Sequence, residues 1–229
     1  MLFAVGVFPV SAQDNAATDS YFRTVGTGVT TNDLYFSAND KDKNINVSDG
    51  FRSIIYKGTG AGLLTFYTIS KGPDGKQVDT TVAQADVSRA GTLALLTFSP
   101  DPATPGHYIV EVLPDDLITF PLGSYRIVNR TPQMVKVTLG PKSVNVAPHA
   151  TQLVVYPLPT GTPTLVAKVY TASSDNILKP IYADTWGYNG QFRTDILISQ
   201  REGPDHFLAV ARLLDNPTVL LSKPYLPKD

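Results

Sequence analysis

The sequence predicts an all-β protein of two tandem antiparallel β-sandwich repeats, and three observations carry that expectation. Short, alternating, β-branched segments recur between turn residues at spacings of about 8 to 12 residues, and no segment shows a helical period. Two stretches match without a gap: moving residues 33–67 by 90 positions lays Tyr35 on Tyr125, Asn39 on Asn129, Ile45 on Val135, Val47 on Val137, Gly50 on Gly140 and Ser53 on Ser143. A further match, residues 106–110 on 205–209, holds at a shift of 99. With 229 residues in all, each repeat is of ordinary domain size and able to bury a core of its own.

The order of elements begins with residues 1–12, an apolar run too short to span a bilayer, ending in Ser11-Ala12 before Gln13-Asp14. It reads as part of a secretory signal peptide, the alternative being a buried N-terminal strand. Residues 13–32 are rich in Thr, Gly, Asp and Asn with little periodicity, and read as a linker or leader. Repeat 1 is expected over 33–120, repeat 2 over 121–217, and a C-terminal tail over 218–229.

Within repeat 1, residues 44–48 and 51–56 flank Asp49-Gly50, a pair suited to a type I′ hairpin turn. Within repeat 2, residues 134–138 and 143–146 flank a turn that keeps Gly140. Pro73-Asp74-Gly75-Lys76 and Asn189-Gly190 mark two further turns. Val135, Val137 and Leu139 alternate with Lys136 and Thr138, so that strand has one buried and one wet face. The more continuous run 92–98 reads as a central strand, with 195–198 as its counterpart. About seven strands per repeat is the count of an immunoglobulin-like sandwich. The short joint at 120–124 leaves open a single pseudo-symmetric sandwich instead.

Composition narrows the function. At 42% hydrophobic and 17% charged, the chain is an ordinary globular protein rather than a disordered one. Its 19 basic and 20 acidic residues are interspersed and offer no basic face, so nucleic acid is not an expected partner. There is no cysteine, which excludes disulfides and thiolate chemistry. No cofactor or metal is implied, and no later segment is long and apolar enough to be a membrane span.

The shift between repeats is 90 at Phe66/Tyr156 but 101 at Leu95/Ile196, which predicts 11 extra residues in the second copy within 158–193. That interval holds the only tryptophan. Tyr182, Trp186, Tyr188 and Phe192 could form a platform for sugar rings, with Asp184, Asn189 and Gln191 as hydrogen-bonding neighbours. The competing expectation is that Trp186 fills the core of the second repeat.

Other motifs favour structural readings. Asp40-Lys41-Asp42-Lys43-Asn44 opens like a calcium loop but has Ile45 and Phe51 where glycine and glutamate are required. The glycines of 58–62 lead into a strand rather than a phosphate-binding helix. His107 and His206 fall at matching positions and read as framework, His149 joins no triad, and the adjacent Asp115-Asp116 point to opposite faces of an extended chain. No catalytic residues are assigned.

Residues 120–129, followed by 135–140 and Val146-Ala147-Pro148, resemble uncharacterised secreted bacterial proteins with tandem immunoglobulin-like β repeats. In those proteins a P-x-G-x-Y-R-x-x-N strand precedes a short hairpin and an A-P-G-like turn; here His149 stands at the glycine position. The resemblance implies fold and export and brings no catalytic residues. The expected function is therefore a non-enzymatic, exported protein of the periplasm or cell exterior. Its role would be in structure, adhesion or protein interaction at the cell envelope, with a protein or glycan partner. The alternatives are a carbohydrate-binding module using Trp186, Tyr188, Tyr182, Asp184 and Asn189, and a hydrolase of unknown type.

Overall fold

A computed structural model of the protein describes residues 20–38, 41–58, 62–155, 164–172, 177–200 and 207–215. These residues are all-β, with sixteen strands in four four-stranded sheets. The first half contains β1 (Ser20–Gly26), β2 (Thr31–Ala38), β3 (Lys41–Val47), β4 (Tyr56–Gly58), β5 (Leu63–Lys71), β6 (Gln77–Asp86), β7 (Leu93–Pro100) and β8 (Tyr108–Pro114). The second contains β9 (Ser124–Asn129), β10 (Val135–Leu139), β11 (Lys142–Val146), β12 (Thr151–Val155), β13 (Thr164–Ala172), β14 (Leu178–Gly187), β15 (Arg193–Gln200) and β16 (Leu208–Asp215).

The sheet orders are β4-β1-β7-β8 and β3-β2-β5-β6 in the first half, and β12-β9-β15-β16 and β11-β10-β13-β14 in the second. Strand for strand, the second half repeats the first. Both halves also share a feature that a purely antiparallel expectation omits: β1 lies parallel to β7, and β9 parallel to β15. A long connection makes such a pair possible, since parallel neighbours need a crossover rather than a hairpin.

Register fixes which residues correspond. Phe22 pairs with Ala94 as Tyr125 pairs with Thr194; Leu96 pairs with Val112 as Ile196 with Arg212; Leu64 pairs with Ala85 as Leu165 with Trp186. The halves are thus offset by 100 to 103 residues (194 − 94 = 100; 125 − 22 = 103). The gapless match of residues 33–67 at a shift of 90 instead laid Tyr35 of β2 on Tyr125 of β9, one strand out of step. Amphipathic strands share a period of two, so a neighbouring strand imitates the true partner. With the correct offset the 11-residue insertion disappears, and Trp186 sits where the first half has Ala85.

Residues 13–32 need a second correction, because Ser20–Gly26 is a central strand and not a linker. β1 hides from pattern reading because both its faces are covered, so Arg23, Thr24 and Val25 are all buried and polarity does not alternate with exposure. A third correction concerns Asp49-Gly50. Gly50 does adopt a positive φ of 70°, but only a single bridge, Ser48 to Phe51, follows it, and Tyr56–Gly58 pairs with β1 rather than β3. The turn therefore passes the chain from one sheet to the other. The β10–β11 hairpin forms as expected, with Leu139 opposite Lys142 and Gly140 at φ 57°.

Each half has a core built from both of its sheets. In the first, Phe22 and Phe98 meet Phe36 and Phe66, with edge-on ring contacts of 5.1 to 6.1 Å from Phe22 to Phe36 and Phe66. In the second, Tyr125, Ile127 and Ile196 meet Val137, Leu165, Val169 and Trp186. A third cluster joins the halves: Val25, Leu95 and Leu113 pack with Val128, Leu197 and Leu213.

Candidate functional site

The faces of β1, β7, β9 and β15 that meet between the halves carry charges among these aliphatic residues. Arg23 donates to the two carboxylate oxygens of Asp215, at 2.8 and 3.0 Å, and also pairs with Asp115. Arg126 reaches Asp115 at 2.9 Å and, through Nε, Asp195 at 2.5 Å. Arg193 donates Nε to Asp215 at 2.6 Å and its other nitrogens to the carbonyls of Asp115 and Phe120, each at 2.7 Å. Arg52 pairs with Asp195 and lies 3.3 Å from Asp215. Phe120, in the segment connecting the halves, lies under the guanidinium groups of Arg126 and Arg193, at 4.3 and 4.6 Å.

The arrangement is reciprocal. Arg23 and Arg126 occupy corresponding positions, as do Asp115 and Asp215; Arg23 of the first half holds Asp215 of the second, and Arg126 of the second holds Asp115 of the first. Such i-to-j and j-to-i contacts characterise an isologous interface, here formed within one chain. Burial disfavours charge on Asp115 and Asp215, but the arginines outweigh it and hold both carboxyls below their ordinary range. Arg23, against the cost of its own burial, is held above its ordinary value by the same two carboxylates, whereas burial pushes Arg193 below. The second half adds Arg193 and Asp195 where the first has Leu93 and Leu95.

At the β14 edge of the second half lies a cleft of about 260 Å³, lined by Tyr125, Tyr188, Asn189, Phe192, Thr194, Arg212 and Leu214. The Arg212 guanidinium sits 4.6 Å over the Trp186 ring, which also stacks with Tyr125 at 6.3 Å. Arg212 has no carboxylate at ion-pair distance among the described residues, and its buried Nε has no hydrogen-bond partner there. Among the described residues, the first half has no counterpart to this chemistry. Phe22, Ala94, Val112 and Ala85 take the places of Tyr125, Thr194, Arg212 and Trp186, and with Val87 and Ala90 they form or pack against an apolar core.

The residues singled out from the sequence divide into two groups. Trp186 is only 2% exposed and belongs to the core, so it offers no open face for a sugar ring. Its Nε1 donates to the Tyr182 hydroxyl and to Asp184, each at 3.1 Å, which places these three in one structural knot. Burial and then Asp184 raise the Tyr182 phenol above its ordinary value, against the opposing Trp186 N–H. Tyr188 and Asn189 lie beyond β14 and line the cleft. The Asn189 side-chain oxygen accepts the Gln191 N–H at 2.9 Å. Sequence reasoning missed Arg212, Arg23 and Arg193. The signal for Arg23 was present: Phe22-Arg23-Thr24-Val25 parallels Tyr125-Arg126-Ile127-Val128.

For the remaining motifs, Asp42 accepts a 2.6 Å hydrogen bond from the Tyr67 hydroxyl, while Asp40 lies outside the described residues. So do residues 59–61 of the glycine run, His206, the apolar run 1–12 and the tail 218–229. His149 adopts a left-handed φ of 53°, a conformation that ordinarily favours glycine. Among the described residues no cluster of His, Asp or Glu is placed to hold a metal ion, and no helix is long and apolar enough to cross a membrane.

No protein-family model matches the chain, and a comparison with curated proteins finds no match.

Proposed function

We propose that the chain is an exported, non-enzymatic protein of two immunoglobulin-like β-sandwiches, acting in structure, adhesion or protein interaction at the cell envelope. The observation that carries this reading is the buried network between the halves. Four arginines, three aspartates and the Phe120 ring tie two like units into one body. A fixed mutual orientation suits a scaffold or a binding protein. Each of the three carboxylates is engaged by at least two arginines, which leaves no acid there free for proton transfer. Cell fractionation with an antibody to the protein is expected to find it in the envelope or the medium, and cross-linking there to capture a surface partner. Recovery from the cytoplasm with turnover of a small metabolite would sink the reading.

A second reading, glycan binding, is favoured by one observation. The cleft combines aromatic faces from Tyr188 and Phe192 with polar groups from Asn189, Thr194 and Arg212, the mixture that small-molecule sites use. Titration of oligosaccharides against the fluorescence of Trp186, which lies beneath Arg212, tests it directly.

A further inference from the structure

We infer that the cleft of the second half selects an acidic glycan, a sugar ring bearing a carboxylate, with Arg212 as the anchor for the acid group. The inference rests on the glycan reading and specifies its ligand class.

The argument starts from what the two halves do with one position. The residue that pairs with Leu96 in the first half is Val112, and the one that pairs with Ile196 in the second is Arg212. Around Val112 the neighbours are small and apolar and form core; around Arg212 they are Thr194 and Tyr188, and a cleft remains. An arginine with no carboxylate at ion-pair distance among the described residues, Asp184 being engaged by the Trp186 Nε1 and the Tyr182 hydroxyl instead, is costly to keep partly buried unless something compensates it. Here the compensation within the described residues is the Trp186 ring on one face, worth about 0.5–2 kcal/mol. The Nε of this guanidinium, buried and without a hydrogen-bond partner among the described residues, is left unsatisfied, and a carboxylate is the group that matches a guanidinium fork in a bidentate manner.

The rest of the lining tells what carries the carboxylate. Asn189 is held by the Gln191 N–H on its oxygen, which leaves the amide N–H groups to donate to a hydroxyl. Thr194 offers a hydroxyl, and Tyr188 and Phe192 provide ring faces of the kind on which sugar C–H groups rest. A peptide carboxylate would find the same arginine, but this hydroxyl-matching set fits a polyol ring better.

The test uses the full chain and its single tryptophan as reporter. Glucuronate and its disaccharides are titrated alongside glucose, its neutral disaccharides and an N-acetylated dipeptide with a free C-terminal carboxylate. The acidic sugars are expected to change Trp186 emission and to bind at least about tenfold more tightly than the neutral ones, the value of one charge-assisted pair. In Arg212→Met, which keeps a stem over the indole, that preference is expected to vanish while thermal unfolding stays within a few degrees of the parent; Arg212→Lys should retain part of it. Neutral sugars binding as well as acidic ones would overturn the inference and leave glycan binding standing. Binding of the peptide but not the sugars, or of nothing, would overturn both. An unchanged acid preference in Arg212→Met would remove Arg212 as the anchor.

Discussion

The two halves share most of the ion pairs that cross between them, with Arg193 and Asp195 added by the second half, and differ most at one outer edge. Where they meet, Arg23 and Asp115 are mirrored by Arg126 and Asp215, and the apolar residues Val25 and Leu113 by Val128 and Leu213. At the β6 edge of the first half, Ala85, Val87 and Ala90 belong to the core and Val112 packs against it, whereas at the β14 edge of the second Tyr188 and Arg212 line a cleft beside the buried Trp186. Repetition constrains a surface that must be complementary to its own copy, and it leaves the far edge of each copy free to diverge. Chemistry repeated in both halves marks assembly, as do Arg193 and Asp195 on the same face, and the proposed recognition falls where the outer edges diverge.

The mirrored interface gives the largest expected effects. Replacing either Asp115 or Asp215 by alanine leaves buried arginines uncompensated and is expected to cost about 3–5 kcal/mol in urea unfolding. Because the contacts are reciprocal, the two costs should lie close together; a large loss from one and none from the other would break the symmetry. Arg193 and Asp195 have leucines as their counterparts, so the pair Arg193→Leu with Asp195→Leu removes charge from both signs at once. The two do not pair with each other: Arg193 engages Asp115 and Asp215, and Asp195 engages Arg52 and Arg126, so the double change strands partners of both signs and is expected to cost at least about 3 kcal/mol, as a single aspartate replacement does.

The next effect contrasts the cores. Trp186→Ala is expected to destabilise by about 3 kcal/mol, the lower end for a buried large side chain, because Arg212 and Tyr125 can move toward the gap. Its inverse, Ala85→Trp, forces an indole into a packed edge and should cost about 1–3 kcal/mol. Equal tolerance of tryptophan at both sites would mean that the first edge is not as closed as its packing indicates.

Acid provides a smaller, graded test of the same interface. Asp115 and Asp215 have folded-state values below those of the unfolded chain, so their stabilisation is complete above the unfolded carboxylate value of about 4 and is lost as the pH falls through the folded values. Stability is expected to be flat in this contribution from about pH 5 upward and to decline below about pH 4, with the decline reduced in Asp215→Asn. A decline already complete at pH 5 would show that the arginines do not hold these groups charged.

The all-β class was legible because strand periodicity and turn residues are local properties, as at Val135–Leu139 and Gly140. The offset between halves was not, because a period of two makes β2 resemble β9 as well as β10 does; only pairing distinguishes them. β1 escaped for the opposite reason, since a strand buried on both faces has no polar face to alternate with. Among the candidate site residues, Tyr188 and Asn189 were found by aromatic content near a turn, and they do line the cleft. Arg212 was invisible, because an arginine within the strand sequence Leu208–Asp215 reads as an ordinary solvent-facing charge. Its meaning comes from Trp186, 26 positions earlier (212 − 186 = 26), which covers one face of it.

The smallest effect on stability is the sharpest test of the comparison. Arg212→Val installs in the second half the residue that the first half has at that position. It removes a cation–π contact worth about 0.5–2 kcal/mol and a partly buried charge without a carboxylate, two changes of opposite sign. Net stability is therefore expected to move by no more than about 1 kcal/mol in either direction. If the arginine is there to support the fold, the substitution must destabilise by more than the ring contact alone, and the argument from divergence fails. If it is there to meet a ligand, stability is held, Trp186 emission shifts because its charged neighbour is gone, and the cleft loses whatever response to acidic sugars it had. A fold-neutral change confined to one copy of a repeated framework then separates what the architecture requires from what the second half has been altered to do.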